Sequence, residues 1–175
     1  IIERAIKAGY QSVMVDASRL TLEGNIAATK SVCDIAHAAG IPVEAELGAV
    51  MGHETAQAAI PYEEIFEKKM GFTTVEDATK FVEGSGCDWL SVAVGSVHGA
   101  IAANLLDKKK PAAKLDIERI TELEAALNMP LVLHGGSGIE NDYILRGIRA
   151  GIAKINVGTE LRQPYERAMR EKNDV

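Results

Sequence analysis

The chain has 175 residues, of which 47% are hydrophobic and 25% are charged, and its formal net charge is −6 at pH 7. This length supports one domain with a sizeable core, and the composition is that of a globular protein in water. The negative net charge argues against nucleic acid or an anionic membrane surface as a partner, and no apolar run approaches the roughly 20 residues of a membrane span. Cys33 and Cys87 stand alone on apolar segments, which predicts reduced core residues of a cytoplasmic protein. Because the chain starts at Ile1 rather than Met, we expect its natural beginning to lie upstream.

The first quarter of the chain alternates between helical and extended patterns. It predicts, in order, a helix over 1–8, a strand over 12–16, a helix over 25–39 and a strand over 42–47. Asp16 lies at the tip of the first strand and Glu46 near the end of the second. Glu44 shares a face of its strand with Glu46, because successive side chains point to opposite faces. For each of these carboxylates, an ion pair with Lys or Arg is an adequate explanation.

The middle of the chain carries an insertion and the first of two similar histidine motifs. It predicts an amphipathic insertion over 60–72, a helix over 74–84, a strand over 89–94 and a helix over 116–127. Thr73 or Thr74 is expected to be the N-cap of the first of these helices. The strand runs directly into Gly95-Ser-Val-His98-Gly99.

The last third repeats the strand–histidine–glycine pattern. It predicts a strand over 130–133, a helix over 141–150, a strand over 153–157 and a helix from about 159. His134 follows the first of these strands as His98 follows its own, and the two lie about one helical crossover apart. Imidazoles from neighbouring strands can bind one divalent ion, with Zn²⁺ the natural choice for nitrogen ligands. The alternative for either histidine alone is a hydrogen bond to the backbone.

Glycine-rich loops follow the last two predicted strands. Gly135-Gly136-Ser137-Gly138 lies in one of these loops, and Asn156, Gly158 and Thr159 lie in the other. In barrel enzymes the last two strand-to-helix loops are the usual phosphate position, where backbone N–H groups meet an anion at a helix N-terminus. The alternative is ordinary turn and capping chemistry, and because both use the same donors, both can hold.

A strand followed by a helix, five times over, with nearly continuous apolar strands, indicates an α/β fold with a parallel sheet. Two architectures remain: an open doubly wound sheet and a TIM (β/α)8 barrel. Polar residues at the end of every strand favour the barrel, because an open sheet concentrates its site at one switch point. Five units are too few for a whole barrel. We therefore predict a single domain over 1–175 that carries about strands 4 to 8, the C-terminal part of the barrel.

Four motifs resemble class II, zinc-dependent ketose-bisphosphate aldolases, with the fructose- and tagatose-bisphosphate enzymes as the nearest comparison. They are Val43-Glu-Ala-Glu-Leu-Gly48, Gly95-Ser-Val-His-Gly99, Leu131-Val-Leu-His-Gly-Gly-Ser-Gly138 and Lys154-Ile-Asn-Val-Gly-Thr-Glu160. The resemblance implies a TIM barrel enzyme that reversibly cleaves a ketose 1,6-bisphosphate into dihydroxyacetone phosphate and glyceraldehyde 3-phosphate. Zinc would stabilise the enediolate that forms. A homodimer or homotetramer is also implied.

The resemblance also implies roles for individual residues. His98 and His134 would be two of three zinc ligands, and Asp16 and Glu46 match positions that hold an alternative, non-catalytic metal in some relatives. Glu54 matches a loop glutamate that moves a proton. The positions expected to bind substrate, some of which also coordinate Na⁺ or K⁺ in relatives, are Gly99, Gly135, Gly136, Ser137, Asn156, Val157, Gly158 and Thr159. The third zinc histidine and a catalytic aspartate are expected upstream of Ile1.

Two other functions remain open at this point. One is a sugar-phosphate-binding barrel protein that keeps the phosphate loops but performs no chemistry. The other is a different phosphate-binding barrel enzyme, such as an isomerase. An Asp-His pair at the end of an apolar strand upstream of Ile1 would favour the aldolase over the binding protein.

Overall fold

The computed structural model describes residues 1–48, 61–97 and 113–173, in which successive strands are separated by one or two helices. The strands are β1 (Val13–Val15), β2 (Val43–Leu47), β3 (Trp89–Val92), β4 (Leu131–Leu133) and β5 (Ile152–Ile155). The helices are α1 (Ile2–Lys7), α2 (Leu22–His37), α3 (Tyr62–Glu67), α4 (Val75–Ser85), α5 (Ile117–Leu127), α6 (Asn141–Arg149) and α7 (Thr159–Asn173). In these three ranges, no helix combines the length and the apolar character that crossing a membrane requires.

The five strands form one parallel sheet in which they lie side by side in chain order, β1-β2-β3-β4-β5. An open doubly wound sheet would reverse its strand order at a switch point. Here every crossover leads to the next strand in the same direction, which is how a (β/α)8 barrel is built. The sheet is therefore an arc of a TIM barrel, and the predicted fold class is confirmed. The domain limits of 1–175 and the insertion over 60–72 stay predictions.

The two faces of the sheet differ in chemistry. One face packs against the helices and forms the hydrophobic core, in which Phe81 of α4 and Ile120 and Leu123 of α5 are fully buried. The strand residues of this face alternate with those of the other, and they include Val43, Ala45, Leu90, Val92, Leu131 and Leu133. The opposite face is the interior of the barrel, and it carries Glu44, Glu46, Ser91, Val132 and Lys154 in matching register. The charged side chains of β2 and β5 named here thus lie on the interior face.

Several element boundaries differ from the predicted ones for local reasons. Helix α2 begins at Leu22, three residues before the predicted start, because the Thr21 side chain accepts a hydrogen bond from the Gly24 N–H and caps it. Within the range of the predicted insertion, α3 forms a helix for which the sequence pattern assigned no element. Strand β3 ends at Val92, two residues before the predicted end.

The two candidate capping threonines have different roles. Thr74 is the N-cap of α4, accepting a hydrogen bond from the Asp77 N–H at 3.1 Å. Thr73 is buried instead, where its Oγ1 donates to the Leu47 carbonyl at 2.6 Å and accepts from the Ala93 N–H at 2.9 Å. Thr73 therefore ties the carboxyl ends of β2 and β3 together, at the edge of the sheet where the predicted site residues lie.

Candidate active site at the carboxyl edge of the sheet

His134 is the centre of a buried polar cluster inside the barrel. It follows β4 directly and is 8% exposed. Its Nε2 lies 2.8 Å from Glu44 Oε1, and its Nδ1 lies 2.9 Å from Glu46 Oε2. Both glutamates belong to β2, which is separated from β4 by β3. The imidazole spans that distance on the interior face, where the small side chain of Ser91 occupies the intervening strand.

The charges in this cluster stabilise one another. Burial alone lowers the pKa of His134, but its hydrogen bonds to Glu44 and Glu46, together with their charges, raise the pKa to about 9. Burial alone raises the pKa of Glu44, but its contacts with His134 and Lys154 outweigh burial and hold the pKa below its ordinary value. Whenever no metal ion is bound, His134 is therefore positively charged at neutral pH and Glu44 is ionised.

Lys154 of β5 completes the cluster from the other side. Its ammonium group forms an ion pair with Glu44 Oε2 and lies 5.9 Å from the ring centroid of Trp89. Sequence reasoning treated Glu44 only as an ion-pair residue and gave Lys154 no role. The one sequence signal for Glu44 was its position on the same strand face as Glu46. Nothing in the sequence identified His134 or Lys154 as its ion-pair partner.

His134 and Glu46 are each of a donor type that metal ions such as zinc accept. An imidazole nitrogen and a carboxylate oxygen are both zinc ligands, and here they face each other in a buried position. Across residues 1–48, 61–97 and 113–173, no group of three or more His, Cys, Asp and Glu side chains is arranged around one ion position. The described residues thus supply two of the donor groups that a metal site needs, and other ligands would have to complete it.

The other predicted metal and proton-transfer residues are placed as follows. Asp16 follows β1 at the same edge of the sheet, is exposed, and accepts hydrogen bonds from the Ser18 N–H at 3.0 Å and from the Ser18 hydroxyl at 2.6 Å. His98, Gly99 and Glu54 lie outside the described residues, and their roles stay predictions.

The loops after β4 and β5 contact each other beside His134. The Gly136 N–H donates to the Asn156 carbonyl at 3.0 Å, and a Cβ at Gly136 would lie 2.5 Å from Ile155 Cγ2, so that a larger residue would force its neighbours to move. Glu160, which sequence reasoning missed, accepts from the Gly138 N–H at 2.8 Å and donates its own N–H to Ser137 Oγ at 3.3 Å. These contacts hold the two glycine-containing loops together.

The joined loops lead into the N-terminus of α7. Val157 and Gly158 precede this helix, Thr159 is its first residue, and the Gly158 carbonyl accepts from the Leu161 and Arg162 N–H groups. Gly135 has a φ of +68°, which glycine adopts without strain. The loops predicted to bind phosphate therefore meet at one helix N-terminus, but phosphate binding itself stays a prediction.

An arc of a parallel barrel carries a buried histidine–carboxylate pair at its carboxyl edge, next to glycine-containing loops at a helix N-terminus. In (β/α)8 barrel enzymes the active site lies at this edge of the sheet. The family model "Fructose-bisphosphate aldolase class-II" matches residues 1–175. The chain belongs to the class II fructose-bisphosphate aldolase family.

Individual relatives agree with this assignment. YdjI of Escherichia coli strain K12, described as an uncharacterized protein, is 42% identical over 177 residues, which cover 99% of this chain and 57% of YdjI. The crystal structure of the YdjI aldolase matches with a TM-score of 0.72 and 37% identity, over 99% of this chain and 54% of that one. The chain thus spans little more than half the length of this relative.

A more distant solved structure shows the same fold. The fructose-bisphosphate aldolase of Campylobacter jejuni matches with a TM-score of 0.67 and 24% identity, over 97% of this chain and 49% of that one. At this identity the likeness supports the barrel architecture alone.

Proposed function

We propose that this protein is a class II aldolase that reversibly cleaves a ketose 1,6-bisphosphate, fructose or tagatose, into dihydroxyacetone phosphate and glyceraldehyde 3-phosphate with the help of Zn²⁺. The observation that carries the proposal is the buried His134–Glu46 pair, whose facing atoms are 2.9 Å apart at the carboxyl edge of the barrel. The family assignment is consistent with aldehyde-lyase chemistry on a small phosphorylated sugar.

One group of residues would bind metal ions, and another residue would transfer a proton. His98 and His134 would be two of the ligands that hold the zinc ion, and Asp16 and Glu46 would belong to an alternative, non-catalytic metal position. When bound, zinc would supply Lewis-acid stabilisation of the negative charge that develops next to the ketone. Glu54 would move the proton on carbon.

The loops after β4 and β5 would bind the phosphate of the dihydroxyacetone phosphate half. A helix N-terminus attracts negative charge, and α7 begins at the point where these loops meet. The residues concerned are Gly99, Gly135, Gly136, Ser137, Asn156, Val157, Gly158 and Thr159, some of which would also contact Na⁺ or K⁺. Holding the phosphate there would orient the reacting carbons toward His134 and Glu46.

The proposal is tested by measuring cleavage of fructose and tagatose 1,6-bisphosphate by the full-length protein before and after treatment with a strong chelator. We expect cleavage of at least one substrate, its loss on chelation, and its return when Zn²⁺ is added back. Activity that persists unchanged under chelation would contradict the proposal. Sugar-phosphate binding without cleavage of either substrate would instead identify a binding protein.

A matched pair of histidine variants links the activity to this site. His134→Asn should abolish zinc-dependent cleavage, because it removes the imidazole that faces Glu46. His37→Asn changes the same side chain in α2, where Nε2 lies 2.8 Å from Asp88 Oδ2, away from the carboxyl edge. That control variant should retain the activity.

A further inference from the structure

Glu44 is the most constrained ionisable side chain of the polar cluster. It is only 2% exposed, and both of its oxygens have cationic partners: Oε1 faces His134 Nε2 at 2.8 Å, and Oε2 forms an ion pair with Lys154. Lys154 is positioned in turn by Trp89, which is the register neighbour of Glu44 on β3. Since a buried carboxylate is costly unless it is paired, this arrangement fixes both the charge and the position of Glu44.

The two ring nitrogens of His134 are not equivalent in this setting. Nε2 faces Glu44, and Nδ1 faces Glu46, which lies two residues nearer the carboxyl end of β2. A ring nitrogen that keeps its proton for a carboxylate has no lone pair for a metal ion. Binding an ion through one nitrogen therefore requires the other to remain the N–H donor.

We propose that Glu44 is a positioning residue that selects the tautomer of His134: it accepts the Nε2–H and leaves the Nδ1 lone pair for the proposed zinc ion. Lys154 holds Glu44 in place from the other side. The inference rests on the proposed function, since it assumes that His134 binds zinc. A carboxylate behind a metal-binding imidazole fixes the ring orientation and makes the coordinating nitrogen more basic.

Zinc affinity of the full-length protein tests the role of Glu44 without relying on catalysis. In a competition titration against a chelating dye, Glu44→Met should weaken zinc binding roughly 10–100-fold, because nothing then accepts the Nε2–H. Glu44→Gln keeps an oxygen acceptor and should lose less, and Lys154→Met should weaken binding in the same direction. Glu83→Gln alters an exposed carboxylate of α4 and serves as the control with unchanged affinity.

Nitrogen-15 spectra of the zinc-loaded wild-type protein test the tautomer directly. With the His134 signals assigned by their disappearance in His134→Asn, we expect Nε2 to carry the proton and Nδ1 to show the shift of a metal-bound nitrogen. A proton on Nδ1 with the metal on Nε2 would overturn the inference.

The same measurements separate the two proposals. If the wild-type protein binds no zinc, the proposed function fails, and the inference fails with it. If the wild type binds zinc and Glu44→Met binds it equally tightly, the inference fails while the proposed function stands.

Discussion

At the scale of single residues, two glutamates on one strand share an imidazole but differ in their surroundings. Glu44 is also paired with Lys154, whereas Glu46 lies closer to the loops at the carboxyl edge. The difference follows from strand geometry, because residues two apart share a face at different depths in the barrel. Together, the two carboxylates account for the raised pKa of His134.

Stability of the metal-free protein should therefore depend on pH in a defined window. The pKa of His134 is raised in the folded state from an ordinary value of 6.5 to about 9. Its ion pairs thus contribute fully below pH 6.5, and their contribution is lost as the pH rises through 9. In urea titrations after chelation, we expect the free energy of unfolding to fall by on the order of 2–3 kcal/mol between pH 6.5 and 9.5.

The same titrations on variants identify the group responsible. His134→Asn should remove this pH dependence, and His37→Asn should keep it. A wild-type protein whose stability is level across the window would show that the cluster does not hold its proton as described.

At the scale of elements, the site depends on how the ends of neighbouring strands are held. The ladder between β2 and β3 pairs residues from Glu44↔Trp89 to Leu47↔Val92. Beyond it, the buried hydroxyl of Thr73 bridges the Leu47 carbonyl and the Ala93 N–H. A side chain from the segment before α4 thus extends the connection between two strands to the edge of the sheet.

Replacing the Thr73 hydroxyl by a methyl group should destabilise the folded protein, although the shape of the side chain barely changes. Thr73→Val leaves the Leu47 carbonyl and the Ala93 N–H without their side-chain partner in a buried place, and we expect a loss of about 2–4 kcal/mol in unfolding free energy. Thr79→Val is the control, since Thr79 Oγ1 donates to the Val75 carbonyl within the same helix, α4. Equal stability losses in the two variants, measured by urea unfolding, would contradict the bridging role of Thr73.

At the scale of the whole molecule, the two faces of the sheet have separate tasks. The outer face contributes hydrophobic burial against α2, α4 and α5, and the interior face carries the charged cluster. This division lets charged residues accumulate inside the barrel without interrupting the hydrophobic core on its outside.

Shortening a side chain on the outer face should therefore reduce the stability of the protein without changing its affinity for zinc. Leu133, fully buried on β4 next to His134 in sequence, points away from the cluster. Leu133→Ala should lower the unfolding free energy by about 2–5 kcal/mol. Ile35→Ala, on the exposed side of α2, should stay within about 1 kcal/mol. Zinc affinity of folded Leu133→Ala should match the wild type, and a large loss would contradict the separation of the two faces.

Most of the secondary structure was predictable because it is encoded locally. Short apolar runs located all five strands, and Thr74, one of the two predicted capping residues, marks where α4 begins. The missed boundary at α2 also has a local cause, the Thr21 cap. The candidate site was predictable in part: the resemblance named His134 and the glycine loops, but not the partners of His134.

The sequence by itself determined the order of strands and helices, the apolar core face, and the presence of His134 and glycine loops at strand ends, because these follow from neighbouring residues. Only the tertiary structure decided which side chains meet. His134 and Glu44 are 90 residues apart in the chain, and Lys154 and Glu44 are 110 apart. Their contact exists because the strands lie side by side in chain order and their interior-facing side chains converge across β3. No local pattern in the chain carries that information.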